Sequence, residues 1–237
     1  MPARRTLRGA THLASDMVRS REVRRAWWLR VSRPANLFQP YNDTWGDRYP
    51  EVFDLLRGAI PDGPDVRLLS FGCSVGDEVF TLREYFPEAT LVGIDISRGN
   101  IATCRRRART GGDERMLFIR AGSVGHRPHE HYDAVLCMAV LRHGDLGATR
   151  ATSCEHRITF DSFDSTVREL AGCLEVGGLL AIGNSNFRFC DTSSADRFDV
   201  VDCRSAPSER GATPLFGPDN LLLADQEYRE VVFRKRW

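Results

Sequence analysis

Residues 72 to 78 read GCSVGDE and bring together the residue types that a ligand-holding turn needs. Gly72 lets the backbone turn sharply, and Gly76 lets the chain approach a ligand with no Cβ in the way. A dinucleotide loop would carry a further glycine and leave the next helix N-terminus open for a pyrophosphate. Here Ser74, after Cys73, stands where that glycine is missing, and the helix opens on Asp77 and Glu78. Two carboxylates there repel a pyrophosphate but suit an ammonium or sulfonium cation. The spelling therefore predicts a cationic aminoacyl nucleoside rather than NAD.

Asp95 lies nineteen residues beyond Gly76, at the end of a second apolar run. An acid at this spacing can accept hydrogen bonds from the hydroxyls of a ribose. Further along, His143 has the side chain best suited to removing a proton near neutral pH. Asn184 and Asn186 flank Ser185, where they could bind acceptor hydroxyls or cap the next segment. His126, His129 and His131 surround Pro128 and read as a solvated loop rather than a metal site. The run CRRRAR (104 to 109) could face RNA phosphates, but a solvated helix face is the simpler reading.

The elements that would position these groups alternate along the chain. Residues 66 to 72 (VRLLSFG), 90 to 97 (TLVGIDIS), 116 to 121 (MLFIRA), 132 to 140 (YDAVLCMAV) and 179 to 184 (LLAIGN) read as strands. Between them, residues 76 to 86, 98 to 110 and 160 to 174 have helical spacing, and a short helix over 51 to 57 precedes the first strand. The segment 175 to 178 (EVGG) reads as a turn, and YREVVFRKR (228 to 236) as a late antiparallel edge strand. The alternation predicts an α/β fold, a doubly wound Rossmann-like sheet, mostly parallel, with helices on both faces. Ligands of such sheets sit beyond the carboxyl ends of the strands.

Composition narrows the setting. The chain has 237 residues, enough for one large domain with an extension, assigned as an N-terminal helical arm over 1–40 and a domain over 41–237. With 33 basic and 32 acidic residues the net charge is +1, which lacks the broad basic field of a general nucleic-acid binder. Lys235 is the single lysine, so arginine supplies nearly all the positive charge. Seven cysteines without CxxC or zinc spacing read as reduced thiols, and no apolar run reaches the roughly 20 residues of a membrane span. A cytoplasmic protein with neither a membrane nor a nucleic-acid partner is the expectation.

GCSVG, GIDIS, YDAVLCMAVLRH and LEVGGLLAIGN together resemble the class I S-adenosylmethionine-dependent methyltransferases, over about residues 40 to 185. Within that family, FGCSVGDE is most similar to the glycine loop of the chemotaxis receptor glutamate methyltransferases. Their upstream Thr, Arg and Phe match Thr44, Arg48 and Phe53. The resemblance implies Thr44 and Arg48 at the cofactor, with Gly72, Cys73, Ser74 and Gly76 against its methionine part. Asp77 or Glu78 would lie near the ammonium, and Asp95 would take the ribose. Ile96 would pack on the adenine, with Ser123 and Val124 near its amine and Ala139 and Val140 in backbone contact. The family branch has Asn where this chain has Ala139, and a tyrosine near the methyl where it has His143.

These readings converge on methyl transfer from S-adenosylmethionine, leaving S-adenosylhomocysteine, to an oxygen of a small-molecule acceptor. His143 is the candidate base, and Asn184 and Asn186 are the candidate acceptor contacts. The alternatives are a protein carboxyl or RNA methyltransferase, or a non-catalytic protein that binds S-adenosylmethionine.

Overall fold

The computed structural model describes residues 37–39, 48–125, 131–204, 213–224 and 227–237. Of the arm expected over 1–40, residues 1–36 and 40 lie outside the described residues, as do Thr44, His126 and His129.

Helix α1 (Pro50–Ala59) begins with proline at its first turn, where the missing N–H has no helical partner to lose. There follow β1 (Arg67–Phe71), α2 (Asp77–Tyr85), β2 (Thr90–Asp95), α3 (Arg98–Gly111), β3 (Met116–Arg120) and β4 (Tyr132–Met138). Then come the short α4 (Gly144–Ala148), α5 (Phe160–Gly172), β5 (Leu174–Gly183), β6 (Phe198–Arg204) and β7 (Glu230–Lys235). Ser97 caps α3 by accepting from the Asn100 N–H, and Gly112 ends that helix in the left-handed conformation. The predicted strand and helix order holds from β1 to β5.

The strands form one seven-stranded sheet in the order β3-β2-β1-β4-β5-β7-β6. β3, β2, β1, β4 and β5 are mutually parallel, while β7 runs antiparallel to β5 and to β6. The antiparallel strand predicted over 228 to 236 is β7, and one further strand, β6, lies outside it. Sequence reading left β6 (FDVVDCR) in the irregular tail, because two aspartates dilute its alternation. The EVGG segment, read as a turn, belongs to β5. Gly177 takes φ +83°, and the pairing jumps from Tyr132↔Leu174 to Ala134↔Leu179, so the extra residues form an irregularity inside the strand.

Strand alternation divides the core between the two faces. Leu69, Phe71, Val92, Ile94, Val135 and Cys137 point to the face covered by Phe163, Val167 and Leu170 of α5. Leu68, Leu91, Ala134 and Leu136 point to the other, covered by α1, α2 and α3 through Phe53, Leu56, Val79, Leu82 and Ile101. The central strands are apolar on both faces, which explains their nearly unbroken hydrophobic runs. Ser70 shares the parity of Leu68, so its buried hydroxyl points toward α2. Lys235 is buried as well, and its Nζ donates to the carbonyls of Ala171 at 2.9 Å and Leu174 at 2.6 Å, tying β7 to the end of α5.

Candidate functional site

The loop from β1 to α2 is built on left-handed turns: Gly72 at φ +75°, Ser74 at +51° and Gly76 at +95°. A Cβ on Gly72 would come within 2.4 Å of Val140 Cγ2, so the loop is pressed against the segment after β4. The Gly72 and Cys73 N–H groups both donate to Ile94 O on β2, at 2.7 and 2.9 Å. The first glycine is thus required twice, by its backbone conformation and by the close approach of Val140. Ser74 is not glycine, yet it adopts the same left-handed region.

Its backbone N–H donates to Asp95 Oδ2 at 2.9 Å. Asp95 Oδ1 accepts from Ser97 N at 2.7 Å and from Asn100 Nδ2 at 3.2 Å. Asp95 is therefore buried at the end of β2 as a tie between the loop and the start of α3. Burial raises its pKa despite these three donors. A carboxylate has about four acceptor positions. Three filled positions leave room for about one further hydroxyl.

The paired acids separate. Asp77 meets Arg107 of α3 at 2.6 Å, and Arg107 also donates to Val75 O at 2.8 Å and stands over the Phe80 ring at 4.1 Å. Of the two acids expected as alternatives near a ligand ammonium, Asp77 is thus paired with Arg107. Glu78 instead points inward and accepts from Ser70 Oγ at 2.7 Å. Burial pushes its carboxyl up to about 7, against the opposing effects of the Ser70 hydrogen bond and the Arg48 charge. In the loop, the Ser74 hydroxyl oxygen is buried with no hydrogen-bond partner. A buried carboxylate and a buried hydroxyl without a partner fit a ligand that brings a cation and a polar group.

The neighbouring strand ends lie beside this loop, as the Gly72–Val140 contact shows. Ala139 after β4 and Asn184 after β5 both take positive φ, +58° and +57°, next to the last register pair, Met138↔Gly183. For alanine this costs about 1 kcal/mol. Asn184 Oδ1 accepts from Arg142 Nη1 at 3.1 Å and from Thr213 Oγ1 at 2.7 Å. The Tyr49 hydroxyl is buried facing the Asn184 side chain, without a well-aligned hydrogen bond, and the charges of Arg48, Glu78 and Arg142 act on it. Tyr49 and Arg142 carry no signal in the sequence that would have singled them out. Only the meeting of the α1 entry with the ends of β4 and β5 brings them together.

Other expected site residues are placed differently. Asn186 is fully buried: its Oδ1 accepts from His143 N at 2.7 Å and its Nδ2 donates to Pro214 O at 2.7 Å. It joins three segments, so the side chain expected as an acceptor contact holds the protein's own backbone here. His143 is buried too, and its Nδ1 accepts from Asp145 N at 3.3 Å to cap α4. Ser123 donates its hydroxyl to Glu169 and accepts from Gly125 N at 2.9 Å, so its side chain is committed internally. Val124 is in the core, while Ile96 is half-buried beside Asp95. Among the described residues no group of three His, Cys, Asp or Glu could hold a metal. No described helix is long and apolar enough to cross a membrane.

Residues 69–180 match the family model of a methyltransferase domain. The chain is 32% identical over 106 residues to an uncharacterized protein of Synechococcus sp., covering 44% of this chain and 25% of that one. It is 34% identical over 67 residues to the uncharacterized phycocyanin operon protein W of Pseudanabaena tenuis, covering 28% of this chain and 61% of that one. The chain thus spans less than two thirds of the length of either curated relative. Among solved structures it is similar to an rRNA methylase from Streptococcus thermophilus, with a TM-score of 0.45 and 14% identity over 78% of this chain and 95% of that one. The glycine loop and the acid at the end of β2 both fall within residues 69–180, the stretch that matches the methyltransferase-domain model.

Proposed function

We propose that the chain transfers the methyl group of S-adenosylmethionine to an oxygen of a small-molecule acceptor. The observation that carries the cofactor half of this reading is Glu78. A buried carboxylate facing the glycine loop, together with the unpartnered Ser74 hydroxyl, suits the ammonium of the cofactor's methionine part. Gly72, Cys73, Ser74 and Gly76 would lie along that part, and Arg48 would meet its carboxylate. Asp95 would take one ribose hydroxyl through its remaining acceptor position, Ile96 would pack on the adenine, and the backbone of Ser123 and Val124 would meet the adenine edge. Thr44 keeps its expected place at the cofactor as part of the same proposal. Ala139 and Val140 would contribute backbone only.

When bound, S-adenosylmethionine supplies a methyl carbon already activated by its sulfonium. The protein's share is to hold the acceptor in line and exclude water. Asn184, held by Arg142 and Thr213 at the end of β5, stands where an acceptor would enter. The chain's own residues 213–224 fold against the segment after β5 and against the stretch between α4 and α5, as the Phe216 N to Asn186 O and Leu222 N to Thr152 O bonds record. This enclosure favours a small acceptor.

Calorimetry with S-adenosylmethionine, S-adenosylhomocysteine and NAD tests the cofactor half: the first two bind and NAD does not. Binding of NAD alone overturns it. Release of S-adenosylhomocysteine only when a small-molecule acceptor is supplied supports the acceptor half, and release driven only by RNA or a protein substrate overturns it.

A further inference from the structure

We propose that Arg107 is a positioning residue for the cofactor: from α3 it holds the glycine loop in the shape that the methionine part of S-adenosylmethionine requires. The inference rests on the methyltransferase reading above and goes on to assign a residue outside both the loop and the β2 acid. It also gives a role to one member of the arginine run over 104 to 109.

Helix α3 turns one stripe of side chains toward the loop. Asn100, Cys104 and Arg107 are spaced i, i+4 and i+7, which places them on one face of the helix. Asn100 Nδ2 donates to Asp95 Oδ1 at 3.2 Å, and the other oxygen of that carboxylate accepts from Ser74 N. Cys104 Sγ donates to Ser74 O at 3.3 Å and closes on Gly76, where a Cβ would stand 3.1 Å from it. Arg107 Nη1 donates to Val75 O at 2.8 Å and to Asp77 Oδ1 at 2.6 Å. One helix face therefore grips the loop from Ser74 to Asp77 in succession.

Of the three, Arg107 is the strongest hold. A thiol is a weak donor, and the asparagine acts only through Asp95. The guanidinium makes a charge-assisted bond to Asp77 and a second bond to a loop carbonyl. The ring of Phe80, one turn along α2 from Asp77, lies 4.1 Å from the guanidinium carbon and fixes the cation from another side. Its neighbours in the run turn elsewhere. Arg105 donates to Phe118 O through Nε and Nη2, at 3.0 and 2.8 Å, and Arg106 is exposed.

The loop needs such a hold. Ser74 takes φ +51°, a left-handed conformation that a residue with a Cβ keeps only where its surroundings fix it. With Ser74 O and Val75 O both turned toward α3, planar trans peptides direct the Val75 and Gly76 N–H groups the other way, and Gly76 N accordingly donates to Cys73 O at 2.9 Å. Releasing Val75 O frees that peptide to rotate and alters the surface along which the methionine part would lie. The adenosine end would rest on Asp95 and Ile96, which accept no hydrogen bond from Arg107 among the described residues.

The test titrates the full chain by calorimetry with S-adenosylhomocysteine and with methylthioadenosine, which carries the same adenosine but no amino-acid part. Arg107→Gln is expected to weaken S-adenosylhomocysteine at least about tenfold and methylthioadenosine by no more than about twofold. Arg107→Lys, which keeps the charge without the planar fork, should weaken S-adenosylhomocysteine only about threefold. Arg106→Gln should change neither ligand. Equal loss for both ligands, or unchanged S-adenosylhomocysteine affinity in Arg107→Gln, overturns the inference, because a merely structural role would spread the loss over both. Hydrogen exchange of the unliganded chain gives a second reading: Arg107→Gln should speed exchange over residues 72–78 and leave β1 and β2 unchanged, and unaltered exchange over 72–78 also overturns the inference. If Arg107→Gln does not fold, Arg107→Lys is read in the same two ways. Absence of S-adenosylhomocysteine binding by the unaltered chain overturns the methyltransferase reading instead, so the two failures are distinct.

Discussion

The backbone N–H of Ser74 donates to the Asp95 carboxylate at 2.9 Å, joining the loop after β1 to the end of β2 across two adjacent parallel strands. The same carboxylate receives Ser97 N and Asn100 Nδ2, so one buried acid sets the shape of the loop and the start of α3. Asp95→Ala leaves two backbone donors without their acceptor. It is expected to cost about 1–3 kcal/mol in denaturant unfolding and to lower S-adenosylmethionine affinity at least about tenfold by calorimetry. Loss of stability with unchanged affinity would assign Asp95 to architecture alone.

Glu78 carries the pH dependence. Its carboxyl rises from 4.5 unfolded to about 7 in the fold because burial penalises the charge. The folded state therefore holds the proton more tightly. This contribution is fully present below pH 4.5 and is lost as pH rises through 7. Glu78→Gln should remove that slope and gain on the order of 2 kcal/mol relative to the unaltered chain at pH 8. The ligand-binding trend runs the other way. Affinity for S-adenosylmethionine should rise about fivefold from pH 6 to pH 7 as the carboxylate ionises, and Glu78→Gln should abolish the rise and weaken binding. Paired unfolding and calorimetric titrations across this range check both signs.

Gly72 and Val140 form a steric pair. A methyl at position 72 meets Val140 Cγ2 at 2.4 Å and also imposes φ +75° on a residue with a Cβ. Gly72→Ala is expected to cost about 2–4 kcal/mol from overpacking and backbone strain together. Adding Val140→Ala should recover the overpacking share and leave about 1–2 kcal/mol of strain. A double-mutant cycle measures the coupling, and zero coupling would mean that the loop moves away instead.

His143 supports local structure through its cap on α4 and the Asn186 bond to its backbone. His143→Asn retains a capping side chain and should keep turnover within about threefold once an acceptor is in hand. A drop of the 10²–10⁴-fold expected for loss of a general base, with a displaced pH–rate profile, would restore its catalytic reading.

Much of this was legible in the sequence because local rules and the tertiary outcome agree. The central parallel strands announce themselves as apolar runs, since burial on both faces demands it, and Gly72, Gly76 and Asp95 follow a spacing that one β-α-β unit imposes. The weaker signals were those that depend on partners elsewhere. Asp77 and Glu78 are chemically alike and adjacent, and only the position of Arg107 on α3 and of Ser70 on β1 sends one outward and the other inward. Asn184 and Asn186 likewise look interchangeable in NSN. The first accepts from Arg142 and Thr213 side chains, and the second is fully buried and bonded to His143 N and Pro214 O.

The sequence by itself determined the α/β class, the place of the ligand loop and its preference for a cationic nucleoside, because periodicity, glycine and charge act over a few residues. Tertiary structure alone decided which acid pairs with Arg107 and which is buried against Ser70, that β6 extends the sheet beyond β7, and that Tyr49 faces Asn184. Those outcomes depend on segments far apart in the chain, and the side chains they join show no common pattern until the sheet brings its carboxyl ends together.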